Sequence, residues 1–88
     1  MEFRELKTFQ AVAGLLSFNK AAKVLNYAQS TVSAQIQSLE NSLGSSLFKR
    51  TGNKISLTPA GVKLLDYTQR LINLEKEILS NFKTINDI

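Results

Sequence analysis

Neither cysteine nor histidine occurs anywhere in the 88 residues. Those two absences remove disulfide frameworks, Cys/His zinc sites, thiol nucleophiles and His-based catalytic triads. No glycine-rich loop is spaced to cradle a phosphate, and no spacing among Ser, Asp and Lys suggests catalysis, so neither an enzyme nor a cofactor is expected. No run of roughly 18 consecutive apolar residues is present, and Met1-Glu2-Phe3-Arg4-Glu5 is not the opening of a signal peptide. The expectation is a soluble, cytoplasmic protein with no membrane partner. Linkers rich in Gly and Ser, internal repeats and low-complexity segments are also missing.

What is present is a 43% hydrophobic share, that of a folded chain. At 88 residues this is one domain, or a small domain plus an extended element. A core of that size is thin, so a second subunit would add stability. The net charge is +4, and its placement says more than its size. Residues 1–57 hold seven Lys and Arg against three Glu, whereas residues 58–88 hold four against four acidic residues. A polyanion would therefore be bound by the first two thirds.

The most informative stretch is Gln29 to Leu43, QSTVSAQIQSLENSL. At helical period Val32, Ile36, Leu39 and Leu43 form one apolar stripe. Opposite lie Gln29, Ser30, Ser33, Gln37 and Asn41, an amide and hydroxyl face with no charge before Glu40. Short neutral donors and acceptors suit base-pair edges, which offer both kinds of group in the major groove. Alone, the stretch would pass for an ordinary amphipathic helix with a Ser/Gln surface; its neighbours decide otherwise.

Ahead of it, a first helix is predicted from about Glu2 to Ala13 or Leu16, with Phe3, Leu6, Phe9, Val12, Ala13 and Leu16 as its apolar face and Gly14 as a left-handed stop. Ser17 is a good N-cap for a short second helix, Phe18 to Leu25. Ala21 and Ala22 allow a close helix approach, and Asn26-Tyr27-Ala28 makes the turn. Two helices joined by about three residues, the second neutral and polar outside, is the helix-turn-helix pattern. Gly44 ends the third helix. Leu47-Phe48-Lys49-Arg50 and Lys54-Ile55-Ser56-Leu57 then read as two strands around Thr51-Gly52-Asn53. Arg50, Asn53 and Lys54 are expected near the tip of this basic wing, sized for a minor groove.

Thr58 as N-cap and Pro59 at the first helical position start the last helix, expected to run to about Thr84. Leu64, Tyr67, Leu71, Leu74, Ile78 and Ile85 form one row, and Leu65, Ile72 and Leu79 a second. That stripe is wider than a compact three-helix core can bury. Its far part is expected to project and pair with a copy of itself through Leu71, Leu74, Ile78, Leu79, Phe82 and Ile85. The fold class is thus mainly α: a winged helix-turn-helix over residues 1–57, then a linker and dimerisation helix over 58–88.

The sequence resembles the N-terminal DNA-binding domain of the LysR-type transcriptional regulators. The matching residues are Phe9…Val12-Ala13, Ser17-Phe18-Asn19-Lys20-Ala21-Ala22…Leu25, Gln29…Val32-Ser33…Gln35-Ile36, Leu39-Glu40…Leu43-Gly44, Leu47-Phe48…Arg50 and Leu57-Thr58-Pro59-Ala60-Gly61. They span nearly the whole chain in fixed register. The resemblance implies an antiparallel pairing of linker helices, a homodimer with two reading heads, and a partly palindromic promoter site in double-stranded DNA. Carried over by position, Gln29, Ser30, Thr31 and Ser33 would meet base edges, and Asn19, Lys20, Gln37 and Arg50 the DNA backbone. Asn53 and Lys54, at the wing tip, would reach the minor groove.

Several positions depart from the family pattern. Ala28 stands where a capping Ser is frequent, a loss on the order of 1 kcal/mol. Ala34 replaces a frequent Arg, removing one charged contact per subunit. Asn53 replaces a frequent basic residue, with Lys54 next to it, and Leu16 a frequent Gly. The chain also lacks the effector-binding domain usual in the family. It is expected to be a fragment of a longer protein, with a standalone form as the alternative. A small-molecule effector is expected only if a longer parent chain exists. The competing functional reading is a winged-helix module that docks a protein partner through its long apolar helix. It leaves unexplained why the basic excess coincides with the third helix and the wing.

Overall fold

A computed structural model describes residues 1–86. Its elements are α1 (Phe3–Leu15), α2 (Phe18–Leu25), α3 (Gln29–Leu43), β1 (Phe48–Thr51), β2 (Lys54–Leu57) and α4 (Pro59–Asn86). The architecture is the expected winged helix-turn-helix with a long terminal helix. The expected linker unit 58–88 ends in residues 87 and 88, which lie outside the described residues.

One core joins the first three helices to the base of the hairpin. Leu6, Phe9, Val12 and Ala13 of α1 meet Ala21 and Ala22 of α2 and Val32, Ile36 and Leu39 of α3, with Leu47 closing the set. Phe9, Val12, Val32 and Leu39 are fully buried. Each such side chain contributes roughly 1.5–3 kcal/mol from the apolar area it removes from water. Phe48 carries the hairpin onto this core, its ring 5.5 Å from that of Phe9 and 5.6 Å from that of Phe18. Leu43, expected as the last rung of the α3 stripe, is instead exposed at the edge of the domain.

Of the two ends expected for α1 the later one is found, but Gly14 is not the stop. Gly14 stays helical, and the left-handed residue is Leu16, at φ 50, whose N–H donates to the Val12 carbonyl at 2.7 Å. Helix α1 must bury Val12 and Ala13 before it can stop, so termination falls past the glycine. At the other end, Glu2 and Glu5 form a capping box. The buried Glu5 carboxyl is held below its ordinary value of 4.5, first by the Glu2 backbone N–H and then by the Ser38 hydroxyl.

Helix α4 packs on the core with Gly61, Thr68 and Ile72 buried and Leu64 and Leu65 half-buried. The sequence rows therefore divide differently than expected. Leu64 turns to the core, while Tyr67, Leu71, Leu74 and Ile78 face solvent. Thr68, unremarked in the sequence, sits in the packed face with a buried hydroxyl that has no hydrogen-bond partner among the described residues. A Lys7–Glu75 ion pair at 3.2 Å ties α1 to α4. Beyond that point the helix projects, giving the molecule extents of 55 × 25 × 19 Å.

Candidate nucleic-acid interface

The turn that aims α3 is built from local backbone chemistry. The Ser17 hydroxyl accepts from the Lys20 N–H at 3.1 Å and caps α2. Asn26 takes the left-handed conformation at φ 60, and the Tyr27 N–H closes the turn on the Ala22 carbonyl at 2.9 Å. Ala28 stands at the N-cap of α3 with no side-chain cap, as its methyl dictates. Its carbonyl accepts from Thr31 and Val32, and no side-chain hydrogen bond caps this end of α3 among the described residues. Ala21 and Ala22, both buried, let α2 and α3 close on α1.

All four residues singled out for base contact, Gln29, Ser30, Thr31 and Ser33, are exposed on one end of α3. Gln37 and Asn41 continue the same side and are bonded to each other, with the Gln37 amide donating to the Asn41 side-chain oxygen at 3.0 Å. Gln35 is turned inward: the Thr8 hydroxyl donates to its side-chain oxygen. That bond adds to the burial of Val32, Ile36 and Leu39, which turns the neutral face of α3 away from the core.

An open groove of about 280 Å³ runs between α3 and the hairpin, lined by Ser33, Gln37 and Glu40 on one side and Ser46, Phe48 and Arg50 on the other, with Phe18 and Ile36 at its floor. Three residues that the sequence assigned to DNA, Ser33, Gln37 and Arg50, therefore share one groove. Arg50 sits near the hairpin tip, where it was expected, and not in the turn itself. It pairs with Ile55, one rung below the Thr51–Lys54 closing pair, and its guanidinium lies over the Phe18 ring at 5.4 Å from the centroid. Sequence reasoning gave Phe18 only a place at the start of α2. Its spacing to Phe48 and Arg50 in the chain carries no local signal, because the contacts are long-range.

The tip itself is Gly52-Asn53, between Thr51 and Lys54. Gly52 has φ +63, the first central position of a tight hairpin turn where a Cβ would be strained. Asn53 and Lys54 are both exposed there. Asn19 and Lys20 are exposed on the first turn of α2.

On α4, Leu71, Leu74, Ile78, Leu79, Phe82 and Ile85 are all exposed, from 41% at Leu71 to 64% at Leu79. Phe3 of α1 joins Leu71, Leu74, Ile78 and Leu79 around a shallow apolar groove. An apolar face this long on a helix otherwise bearing Lys, Arg and Glu is unusual for a solvated surface. Among the described residues, no helix is long and apolar enough to cross a membrane.

A helix-turn-helix with a hairpin wing, extended by a projecting apolar helix, defines the class of winged-helix proteins. A family model described as bacterial regulatory helix-turn-helix protein, lysR family, matches residues 3–62. The chain belongs to that family. The uncharacterized HTH-type transcriptional regulator YwqM of Bacillus subtilis is 46% identical over 77 residues, which is 88% of this chain and 26% of the relative. The BenM DNA-binding domain, solved in complex with catB site 1 DNA, superposes with a TM-score of 0.92 at 39% identity, over 97% of this chain and 94% of that one. The CbnR DNA-binding domain in its DNA complex gives a TM-score of 0.89 at 36% identity, over 97% and 98%. The chain spans about a quarter of the length of the curated relatives it matches.

Proposed function

We propose that this chain binds double-stranded DNA sequence-specifically as a homodimer, and that it acts in transcription regulation in the cytoplasm. The observation that carries the reading is the outward neutral face of α3 beside a groove that also holds Arg50. Lys20, Arg50 and Lys54 supply sequence-independent attraction by releasing counterions from phosphates. Gln29, Ser30, Thr31 and Ser33 then discriminate base edges in the major groove, and Asn53 with Lys54 tracks the minor groove. Asn19 and the Gln37 amide approach the backbone on either side. The fold match to DNA-bound domains of BenM and CbnR supports the same reading.

A second copy completes the unit. The exposed row from Leu71 to Ile85 lies on a helix about 42 Å long, at 1.5 Å per residue over its 28 residues. Two such helices, antiparallel, bury those rows against each other and hold two α3 helices at a fixed separation, which a partly palindromic site matches. A protein-docking role would use the same apolar row but leaves the basic wing and neutral α3 face without a purpose. Gel-shift titration on promoter fragments against random DNA, with sedimentation of the free chain, tests the proposal. It expects selective retention of some promoter DNA and a dimer mass; equal affinity for all DNA and a monomer would contradict it.

A further inference from the structure

The segment Ser46-Leu47 joins three elements at once. On one side, the Glu40 carboxylate at the end of α3 accepts from the Leu47 N–H at 2.7 Å. On the other, the Thr58 hydroxyl donates to the Ser46 carbonyl at 2.6 Å and the Thr58 N–H to the Leu47 carbonyl at 3.1 Å. The same Thr58 oxygen accepts from the Gly61 N–H at 3.0 Å, capping α4. Gly61 then lies so close that a Cβ there would stand 2.3 Å from the Leu47 carbonyl oxygen and 2.9 Å from a Leu57 methyl. The backbone of Gly61 is ordinary helix, so its lack of a side chain serves this approach and not a turn.

We infer that Gly61 and Thr58 are positioning residues that set the distance between paired DNA half-sites, by fixing the angle at which α4 leaves the reading head. This rests on the dimeric DNA-binding reading above. The lever is geometric. A Cβ at position 61 needs about 1 Å of relief to reach ordinary contact at 3.4 Å. Helix α4 is held farther along by the buried Thr68 and Ile72; taking Ile72, the last of these, as the pivot, it lies about 17 Å from Gly61, and Ile85 about 20 Å beyond it at 1.5 Å per residue. A 1 Å lift at the near end thus swings the far end by about 1 Å, and twofold symmetry doubles it. The resulting 2 Å approaches the roughly 3.4 Å step between base pairs. The residues read as meeting base edges, Gln29, Ser30, Thr31 and Ser33, lie at the start of α3, whereas the bond from Leu47 reaches that helix at Glu40, near its other end.

The test is selection of bound sequences from a random duplex library with the wild-type chain, Gly61→Ala, Thr58→Val and Thr58→Ser. Melting curves report which variants fold. Gly61→Ala and Thr58→Val are expected to enrich the wild-type half-site word while the share of pairs at the wild-type spacing falls at least threefold, with one base pair more or less gaining. Thr58→Ser, which keeps the hydroxyl, is expected to retain the wild-type spacing. An unchanged spacing distribution, or an altered half-site word, overturns the inference. If Gly61→Ala does not fold, the contrast between Thr58→Val and Thr58→Ser decides, and equal behaviour of those two overturns it. A wild-type chain that enriches no paired half-sites refutes the dimeric reading itself, and the inference with it.

Discussion

The Arg50 guanidinium rests on the Phe18 ring, 5.4 Å from its centroid, and so ties the wing to the first turn of the second helix. Phe18 also meets Phe48 edge-on, so one ring holds both the strand and its charged side chain. A cation–π contact at such a site is worth roughly 0.5–1 kcal/mol. It orders a long side chain beside Ser33 and Gln37 before any ligand arrives.

Two variants separate the charge of Arg50 from its placement. Arg50→Ala is expected to weaken binding to all DNA and to reduce the log–log salt slope by about one for each phosphate that its guanidinium neutralises. Phe18→Leu keeps the charge and is expected to weaken binding about two- to fivefold with the slope unchanged. Titrations at several salt concentrations check both, and identical slopes for wild type and Arg50→Ala would remove Arg50 from the DNA backbone.

Gly14 offers a test of the fold. A left-handed glycine would be damaged by alanine, but Gly14 is helical with open space where a Cβ would go. Gly14→Ala is therefore expected to stabilise by about 0.5–1 kcal/mol. For a domain of this size that is a rise in Tm of several degrees, on the order of 4–8 °C per kcal/mol. A fall in Tm would return the stop signal to Gly14.

Much of this architecture was legible in the sequence because the signals were local. Ser17, Asn26, Gly44, Thr58 and Pro59 punctuate the chain at the bounds the structure shows. The period of Val32, Ile36 and Leu39 fixed which side of the third helix faces out. Other features depended on contacts across the chain. Leu16 takes a conformation that its side chain disfavours, because the first helix runs on until Val12 and Ala13 are buried. The choice between the two apolar rows of the last helix is made by the position of the core, which seats Thr68 and Ile72 and leaves Tyr67 and Leu71 outside. The Phe18–Arg50 contact and the close pass of Gly61 by Leu47 carry no sequence period at all.

Acid should loosen the head through Glu5. Its carboxyl is held below the ordinary 4.5 by the Glu2 N–H and the Ser38 hydroxyl. A group with a depressed folded-state pKa contributes stability above its unfolded value and loses it as pH falls through the folded value. Wild-type stability is thus expected to fall below about pH 4.5, and Glu5→Gln to show lower stability at neutral pH with a flatter acid limb. Parallel curves for the two proteins in urea melts across pH would exclude the capping carboxylate as a cause.

Self-association is expected to depend on the outer row of the last helix. Ile78 is 52% exposed in the single chain and lies amid Leu74, Leu79 and Phe82. Ile78→Asp would bury a charge on pairing, which is strongly unfavourable without a partner. Sedimentation should show a monomer for this variant, with helix content retained. A dimer of unchanged affinity would move the interface elsewhere.

The most direct measurement concerns the outward face of the third helix. Affinities of wild type, Gln29→Ala and Ser33→Ala for a selected site and for random DNA are measured at one salt concentration. Removing a base-reading side chain is expected to cost about 1–3 kcal/mol on the selected site and much less on random DNA, so the ratio of the two affinities collapses. Equal losses on both DNAs, leaving that ratio intact, would contradict base reading by this helix.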